Sequence, residues 1–229
     1  MKNKKWIALI FMVIAALLLL LLPDNPKVQY YHHQGNIFGT YYNIRYQATA
    51  DLHDAIQQRL QDFDHSLSMF NPNSVISKIN RNEDITTDSL FEAMYAEAQR
   101  VSHLSNGAFD ITVAPLVNAW GFGKNGALDD EARRQLGGKE RIDSIKAFVG
   151  YEKIHLTDSH LYKDDERITL DASAIAKGYA CDIVADLLRK NNCENLLVDI
   201  GGEVVLQGTN QQGKPWRVGI SRPTIDATG

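Results

Sequence analysis

The chain has 229 residues, of which 44% are hydrophobic and 23% are charged, and its formal net charge is −4 at pH 7. An acidic chain lacks the basic surface that nucleic-acid-binding proteins need, which argues against that class. Two cysteines, Cys181 and Cys193, are too few for a disulfide-stapled scaffold, and the seven histidines do not have the spacing of a zinc site.

The N-terminus has the pattern of a segment that enters a membrane. Three lysines precede an uninterrupted apolar run over residues 6–22, which lies at the short end of what spans a bilayer core. The basic flank is expected to stay in the cytoplasm, so the rest of the chain should lie outside. We predict a signal anchor or signal peptide over residues 1–25, and we favour an uncleaved anchor because no small-residue cleavage site follows. Residues 26–36 are then predicted to be a tether and residues 37–229 the folded domain.

Periodic apolar residues predict a mixture of strands and helices after the tether. Strict alternation is typical of a strand, and apolar residues spaced by three and four are typical of a helix. Helices are predicted to begin after Asp51 and Thr87, each acting as an N-cap. A third helix contains Ile175, Tyr179, Ile183 and Leu187. Strands are predicted over residues 39–46, 154–157, 168–171, 196–200, 204–208 and 216–220. The predicted fold class is therefore mixed α/β.

Three segments carry residues that suit a binding site. Residues 107–123 set Asp110 among large apolar residues, where it is either a ligand contact or a capping residue in a core segment. Residues 170–179 pass from a predicted strand into a helix, whose unpaired N-terminal amides would suit a phosphate. Lys177 in that segment either places a cation near the phosphate or faces solvent. Residues 197–203 hold paired glycines, which are typical of a tight turn or of a backbone close to a ligand.

Six short segments then occur in one fixed order along the chain. They are residues 38–42, 67–80, 107–123, 171–182, 198–202 and 213–220. Each is a weak signal alone, but in this order they resemble the ApbE family of FAD:protein FMN transferases. The resemblance implies a mixed α/β (α+β) fold of two closely packed subdomains, with FAD in the cleft between them.

The resemblance also implies which residues line the FAD cleft. Phe70 matches an aromatic position expected to pack on the isoalloxazine or adenine ring, and Phe38 stands where the family usually has Met. Ala174 matches a metal-ligand position, at which only its carbonyl oxygen could bind Mg²⁺. The other positions implied to contact FAD are Ala108, Phe109, Asp110, Asp171 and Lys177.

The activity implied by the resemblance is the Mg²⁺-dependent transfer of FMN from FAD to a Ser or Thr of a target protein, with release of AMP. The implied targets are subunits of membrane redox complexes, which suits a domain facing the periplasm or exterior. Two alternatives stay open: an FAD pyrophosphatase that yields free FMN and AMP, and a non-catalytic extracytoplasmic flavin-binding protein. The family pattern continues past Ile220 with further metal ligands, so we expect the 229-residue chain alone to bind flavin weakly and to transfer no FMN.

Overall fold

The computed structural model of the protein describes residues 27–122 and 139–220, together with Trp6 and Met12. The first part contains strands β1 (Gln29–Ile37) and β2 (Thr40–Ala48), followed by helices α1 (His53–Leu67), α2 (Val75–Asn80), α3 (Ser89–Leu104) and α4 (Ala114–Ala119). The second contains helix α5 (Lys139–Lys146), strands β3 (Ile154–Thr157) and β4 (His160–Lys163), helix α6 (Ser173–Lys190), and strands β5 (Leu196–Ile200) and β6 (Glu203–Gln207). Short 3₁₀ helices cover Ile111–Val113 and Tyr151–Lys153.

The main sheet has four antiparallel strands in the order β1-β2-β5-β6, and β3 pairs with β4 in a separate hairpin. Its two central strands bury alternate residues on one face, as half-buried antiparallel strands do. Ile44 of β2 lies opposite Val198 of β5, and Tyr46 lies opposite Leu196. All four are fully buried. One face of the sheet therefore supports the core.

Helices α1 and α6 supply the other half of that core. Ile56 and Leu60 of α1 and Val184 and Leu188 of α6 are at most 1% exposed and belong to the same hydrophobic cluster as the sheet residues. Their spacing of four places each pair on one side of its helix. The start of α6 and the end of α1 are thereby held beside the β1–β2 hairpin.

The predicted tether over residues 26–36 is wrong for most of its length. Residues from Gln29 onward form β1, which pairs with β2 in continuous register from Gln29 opposite Ala48 to Ile37 opposite Thr40. The Tyr31 ring stacks on that of Tyr46 at 5.4 Å between centroids. None of the β1 side chains is fully buried, so the sequence here carries little of the apolar alternation that indicates a strand.

Two predicted strands are also wrong. Residues 168–171 belong to no strand: the Leu170 amide donates to the Asn80 side chain at 2.7 Å, and the Asp171 amide donates to the Ile111 carbonyl oxygen at 2.6 Å. These bonds go to separate segments and form no strand ladder. Residues 216–220 lie outside any strand as well, following an isolated bridge between Thr209 and Pro215.

The two predicted N-caps are displaced by one residue each. The N-cap of α3 is Asp88, whose carboxylate accepts a hydrogen bond from the Phe91 amide at 2.8 Å. Thr87 instead donates from its hydroxyl to the Ser159 carbonyl oxygen. The N-cap of α1 is Leu52, although Asp51 still accepts from the His53 amide at 3.0 Å. Both acidic residues therefore satisfy amides at a helix start.

The predicted membrane segment over residues 6–22 lies outside the described residues, apart from Trp6 and Met12. Within the described ranges, no helix is long and apolar enough to cross a membrane.

Candidate functional site

The tip of the β1–β2 hairpin carries a strained aromatic residue. Phe38 and Gly39 form a two-residue turn with φ values of 54° and 73°, as turns that follow the twist of the strands require. Positive φ costs a bulky residue such as Phe about 1–2 kcal/mol. The Phe38 ring packs on Phe63 of α1 at 5.1 Å between centroids, and Phe63 packs in turn on Tyr179 of α6 at 5.8 Å. Strained residues held by packing cluster at functional sites, which makes this tip a candidate.

A pocket of about 250 Å³ opens beside this tip, between the end of α1 and the start of α6. Its lining combines aromatic and apolar side chains with three hydroxyl groups and one ammonium group. The Phe70 side chain forms part of the apolar wall and is 66% exposed. An exposed aromatic ring on a pocket wall is suited to stacking on a flat ligand. The lining residues are Phe38, Thr40, Phe63, Leu67, Ser68, Met69, Phe70, Ser173, Ala176 and Lys177.

The start of α6 offers fewer free amides than the sequence suggests. The Ser173 amide donates to the Asp171 carboxylate at 2.8 Å, and the amides of Ile175 and Ala176 both donate to the Ala172 carbonyl oxygen. In the first turn only the Ala174 amide lacks a partner among the described residues. Asp171 thus accepts from one amide of the helix start that was predicted to bind phosphate, and its carboxylate lies next to the pocket.

Lys177 closes the polar end of the pocket. Its ammonium lies 2.8 Å from the Glu203 carboxylate and donates to the Gly201 carbonyl oxygen at 3.2 Å. The Lys177 side chain keeps 36% of its surface exposed. The lysine is therefore paired within the protein but still partly accessible to a ligand.

The segment that carries Ala108, Phe109 and Asp110 does not form part of the wall of this pocket. One Asp110 oxygen accepts from the amide and the hydroxyl of Thr112, both at 2.7 Å, and the other accepts from the Tyr151 amide at 2.8 Å. Phe109 packs against the core, and Ala108 is exposed. The structure thus gives Asp110 the capping role that the sequence left open, while its predicted contact with FAD stays a prediction.

Ala174, the predicted metal ligand, is the second residue of α6 and is exposed. Its side chain has no donor atom, and Mg²⁺ prefers about six oxygen ligands. Within residues 27–122 and 139–220, no group of three or more His, Cys, Asp or Glu side chains could hold a metal ion.

Several pocket residues were missed by the sequence analysis. Phe63 and Leu67 were assigned to the core from the helical spacing of α1, and they are indeed 2% and 1% exposed. Their outer atoms also form the pocket floor, which periodicity alone does not reveal. Thr40 and Ser173 lie inside the matched segments 38–42 and 171–182, but the resemblance assigned them no contact with FAD.

Comparison with known proteins decides the family. The sequence profile of the ApbE family matches residues 38–228. The chain belongs to the ApbE family. It is 34% identical over 206 residues to the FAD:protein FMN transferase of Vibrio cholerae, covering 85% of this chain and 60% of that protein. It is 33% identical over 205 residues to the FAD:protein FMN transferase of Escherichia coli, covering 83% of this chain and 56% of that one.

Solved structures agree with this assignment. The flavin transferase ApbE of Vibrio cholerae matches with a TM-score of 0.76 at 34% identity, over 87% of this chain and 66% of that chain. The apo form of the Pseudomonas stutzeri flavinyl transferase ApbE matches with a TM-score of 0.73 at 29% identity, over 85% and 66%. The predicted family and mixed α/β fold class are confirmed. The chain spans about 60% of the length of the curated ApbE relatives that it matches.

Proposed function

We propose that this ApbE-family chain provides the flavin-binding part of an FAD:protein FMN transferase. The observation that carries the proposal is the pocket in which Phe38, Phe70 and Lys177 meet. It combines an exposed aromatic wall for a flat ring with an ammonium group for a phosphate. The V. cholerae relative with this name supports the same activity.

In the proposed reaction, a Ser or Thr hydroxyl oxygen of an acceptor protein forms a bond to the phosphorus of the FMN half of FAD. The bond from that phosphorus to the bridging oxygen breaks, AMP leaves with this oxygen, and the hydroxyl proton passes to AMP or solvent. Such a displacement depends mainly on positioning and on charge stabilisation. The chain contributes the aromatic wall that holds the ring, together with the Ala174 amide and the Lys177 ammonium near the phosphates.

Dependence on Mg²⁺ is part of the proposal and rests on the family resemblance. A divalent ion would neutralise charge on the pyrophosphate. Ala174 could give it only a backbone oxygen, so we assign no step of the reaction to the metal.

The proposal is tested by incubating the full protein with FAD, MgCl₂ and a candidate acceptor, with and without a chelator. The expected result is flavin fluorescence that stays on the denatured acceptor, with one AMP released per flavin and no transfer when the chelator is present. Free FMN and AMP without protein-bound flavin would indicate a pyrophosphatase. FAD that stays intact would indicate a flavin carrier.

We also propose that the domain is attached to the cytoplasmic membrane through residues 6–22 and faces the periplasm or exterior. The basic-then-apolar N-terminus supports this orientation. Subunits of membrane redox complexes are then the proposed acceptors. Protease added to spheroplasts should digest the domain. A domain that stays intact together with the cytosolic controls would contradict the orientation.

A further inference from the structure

The polar end of the pocket is built by two distant segments of the chain. Lys177 belongs to the second turn of α6, and its partners are Gly201 in the β5–β6 turn and Glu203 at the start of β6. The Glu203 carboxylate lies 2.8 Å and the Gly201 carbonyl oxygen 3.2 Å from the ammonium. Lys177 lines the pocket, whereas Glu203 is not among the residues of its wall. We therefore expect Glu203 to act on a ligand in this pocket through the lysine.

The backbone of the β5–β6 turn also passes close to the aliphatic part of the Lys177 side chain. Gly201 has a φ of 59°, and a Cβ atom added there would lie 2.8 Å from Thr40 Cγ2 and 3.2 Å from Lys177 Cδ. Glycine permits this close approach because it has no Cβ and tolerates positive φ. The Lys177 side chain thus lies close to the backbone of this turn and is bonded to it at the ammonium.

We propose that Glu203 is a positioning residue that fixes the Lys177 ammonium at the pocket for the phosphate of a flavin nucleotide. This inference rests on the proposed function of the same site. A free lysine side chain has many rotamers, and ordering it on binding weakens the affinity. A lysine that is already ordered by Glu203 and Gly201 avoids most of that loss.

The Glu203 carboxylate could instead compete with the phosphate for the lysine, in which case it would weaken FAD binding. An ammonium has three N–H donors. Gly201 accepts a hydrogen bond from one of them, whereas Glu203 Oε2 lies 2.8 Å from the nitrogen as an ion-pair partner without hydrogen-bond geometry. Among the described residues the ammonium has no other acceptor, so at least one donor stays available to a ligand. We therefore expect positioning by Glu203 to outweigh its competition with the phosphate.

The test measures the dissociation constant of FAD by flavin fluorescence in the full protein and its variants. Glu203→Ala removes the carboxylate that forms the ion pair with Lys177, and we expect it to raise the Kd about three- to tenfold, as for coupled neighbours. Glu203→Gln keeps the length and one acceptor oxygen, so its Kd should lie between those of wild type and Glu203→Ala. In a Lys177→Met background, Glu203→Ala should add no further increase.

Glu97→Gln is the matched control, because it breaks the exposed pair of Glu97 with Arg100 on α3 at 2.6 Å. It should leave the Kd for FAD unchanged, and thermal unfolding monitors the fold of every variant.

If the Glu203→Ala variant does not fold, Glu203→Gln is compared with wild type in both backgrounds instead. If a Glu203 variant binds FAD as tightly as wild type or more tightly, the positioning role of Glu203 is wrong while the proposed function stands. The same holds if Glu203→Ala raises the Kd as much in the Lys177→Met background as in wild type. A wild type that binds no FAD overturns the proposed function and this inference with it.

Discussion

The backbone amide of Asp171 donates a hydrogen bond to the carbonyl oxygen of Ile111 at 2.6 Å. This bond joins two segments that the sequence singled out separately, the aromatic-rich residues 107–123 and the start of α6. Ile111 is 1% exposed, so the bond is formed in the core. The 3₁₀ helix that Asp110 caps thereby fixes where α6 begins, and the pocket depends on that position.

Asp110→Ala is expected to destabilise the protein. It removes the acceptor of three hydrogen bonds, from the Thr112 amide, the Thr112 hydroxyl and the Tyr151 amide. Loss of such a cap should lower the free energy of unfolding by about 1–3 kcal/mol. Asp110→Asn keeps one acceptor oxygen and should lose about half as much. Urea unfolding measures both. Asp84→Ala is the control, because the Asp84 side chain is 99% exposed and its loss should change stability by less than about 0.5 kcal/mol.

The same variants test the FAD contact that the family resemblance implies for Asp110. A weaker FAD affinity in folded Asp110→Asn, with the secondary structure unchanged, would support the contact. An unchanged affinity would leave Asp110 with a structural role alone. Unchanged stability of Asp110→Ala would contradict the capping role instead.

Phe70→Ala is expected to separate binding from stability. The side chain is 66% exposed, so the free energy of unfolding should change by less than about 0.5 kcal/mol. Loss of an aromatic stacking partner, with its buried area, should raise the Kd for FAD roughly tenfold. Tyr162→Ala is the aromatic control, since Tyr162 lies on β4 and is 57% exposed. Equal Kd values for Phe70→Ala and wild type would remove Phe70 from the flavin site.

The sequence predicted the elements whose periodicity arises from burial on one face. Strands β2 and β5 and helices α1, α3 and α6 fall in this class. The predicted strand over residues 168–171 shows the limit of the method. Its alternation is real, because Ile168 and Leu170 are both fully buried. Periodicity reports which side chains are buried, but it does not identify the hydrogen-bond partner, which here is the Asn80 side chain.

The site was predicted in parts rather than as an arrangement. Phe38, Phe70 and Lys177 were each assigned to the FAD cleft by resemblance, and the structure brings these three together in one pocket. The pairing of Lys177 with Glu203 was not predicted, although both lie in segments that the sequence singled out. α6 leads into β5, and the β5–β6 turn brings the chain back beside the N-terminal end of α6. The contact depends on this tertiary arrangement, and no local sequence pattern encodes it.

Two glycines near the pocket should respond in opposite directions to substitution by alanine. Gly201→Ala places a Cβ at positive φ and 2.8 Å from Thr40 Cγ2, so it should destabilise the protein by at least about 1 kcal/mol. Gly178→Ala lies inside α6, where an added Cβ meets nothing within 4 Å. It should stabilise the protein by about 0.5–1 kcal/mol through helix propensity. Thermal or urea unfolding measures both, and equal signs would contradict the turn geometry.

The Asp51 carboxylate should make stability depend on pH in the acidic range. It accepts hydrogen bonds from the Tyr46 hydroxyl at 2.6 Å and the His53 amide at 3.0 Å, and it lies 2.8 Å from His33 Nε2. Burial alone would raise the pKa of Asp51, but these hydrogen bonds outweigh it and lower the pKa below its ordinary value. A carboxylate whose pKa is lowered by folding stabilises the protein above its unfolded pKa of about 3.9. That contribution is lost as the pH falls through the lower, folded pKa.

Asp51→Asn keeps an acceptor oxygen but cannot ionise, so it isolates this contribution. The wild type should exceed the variant in free energy of unfolding at pH 5–7, and the difference should shrink as the pH falls below about 4. Urea unfolding from pH 7 to pH 3 measures the difference directly. The comparison is repeated in a His33→Gln background, which removes the ring that contacts Asp51 and isolates the carboxylate. A difference that stays constant down to pH 3 would show that the Asp51 charge contributes nothing beyond its hydrogen bonds.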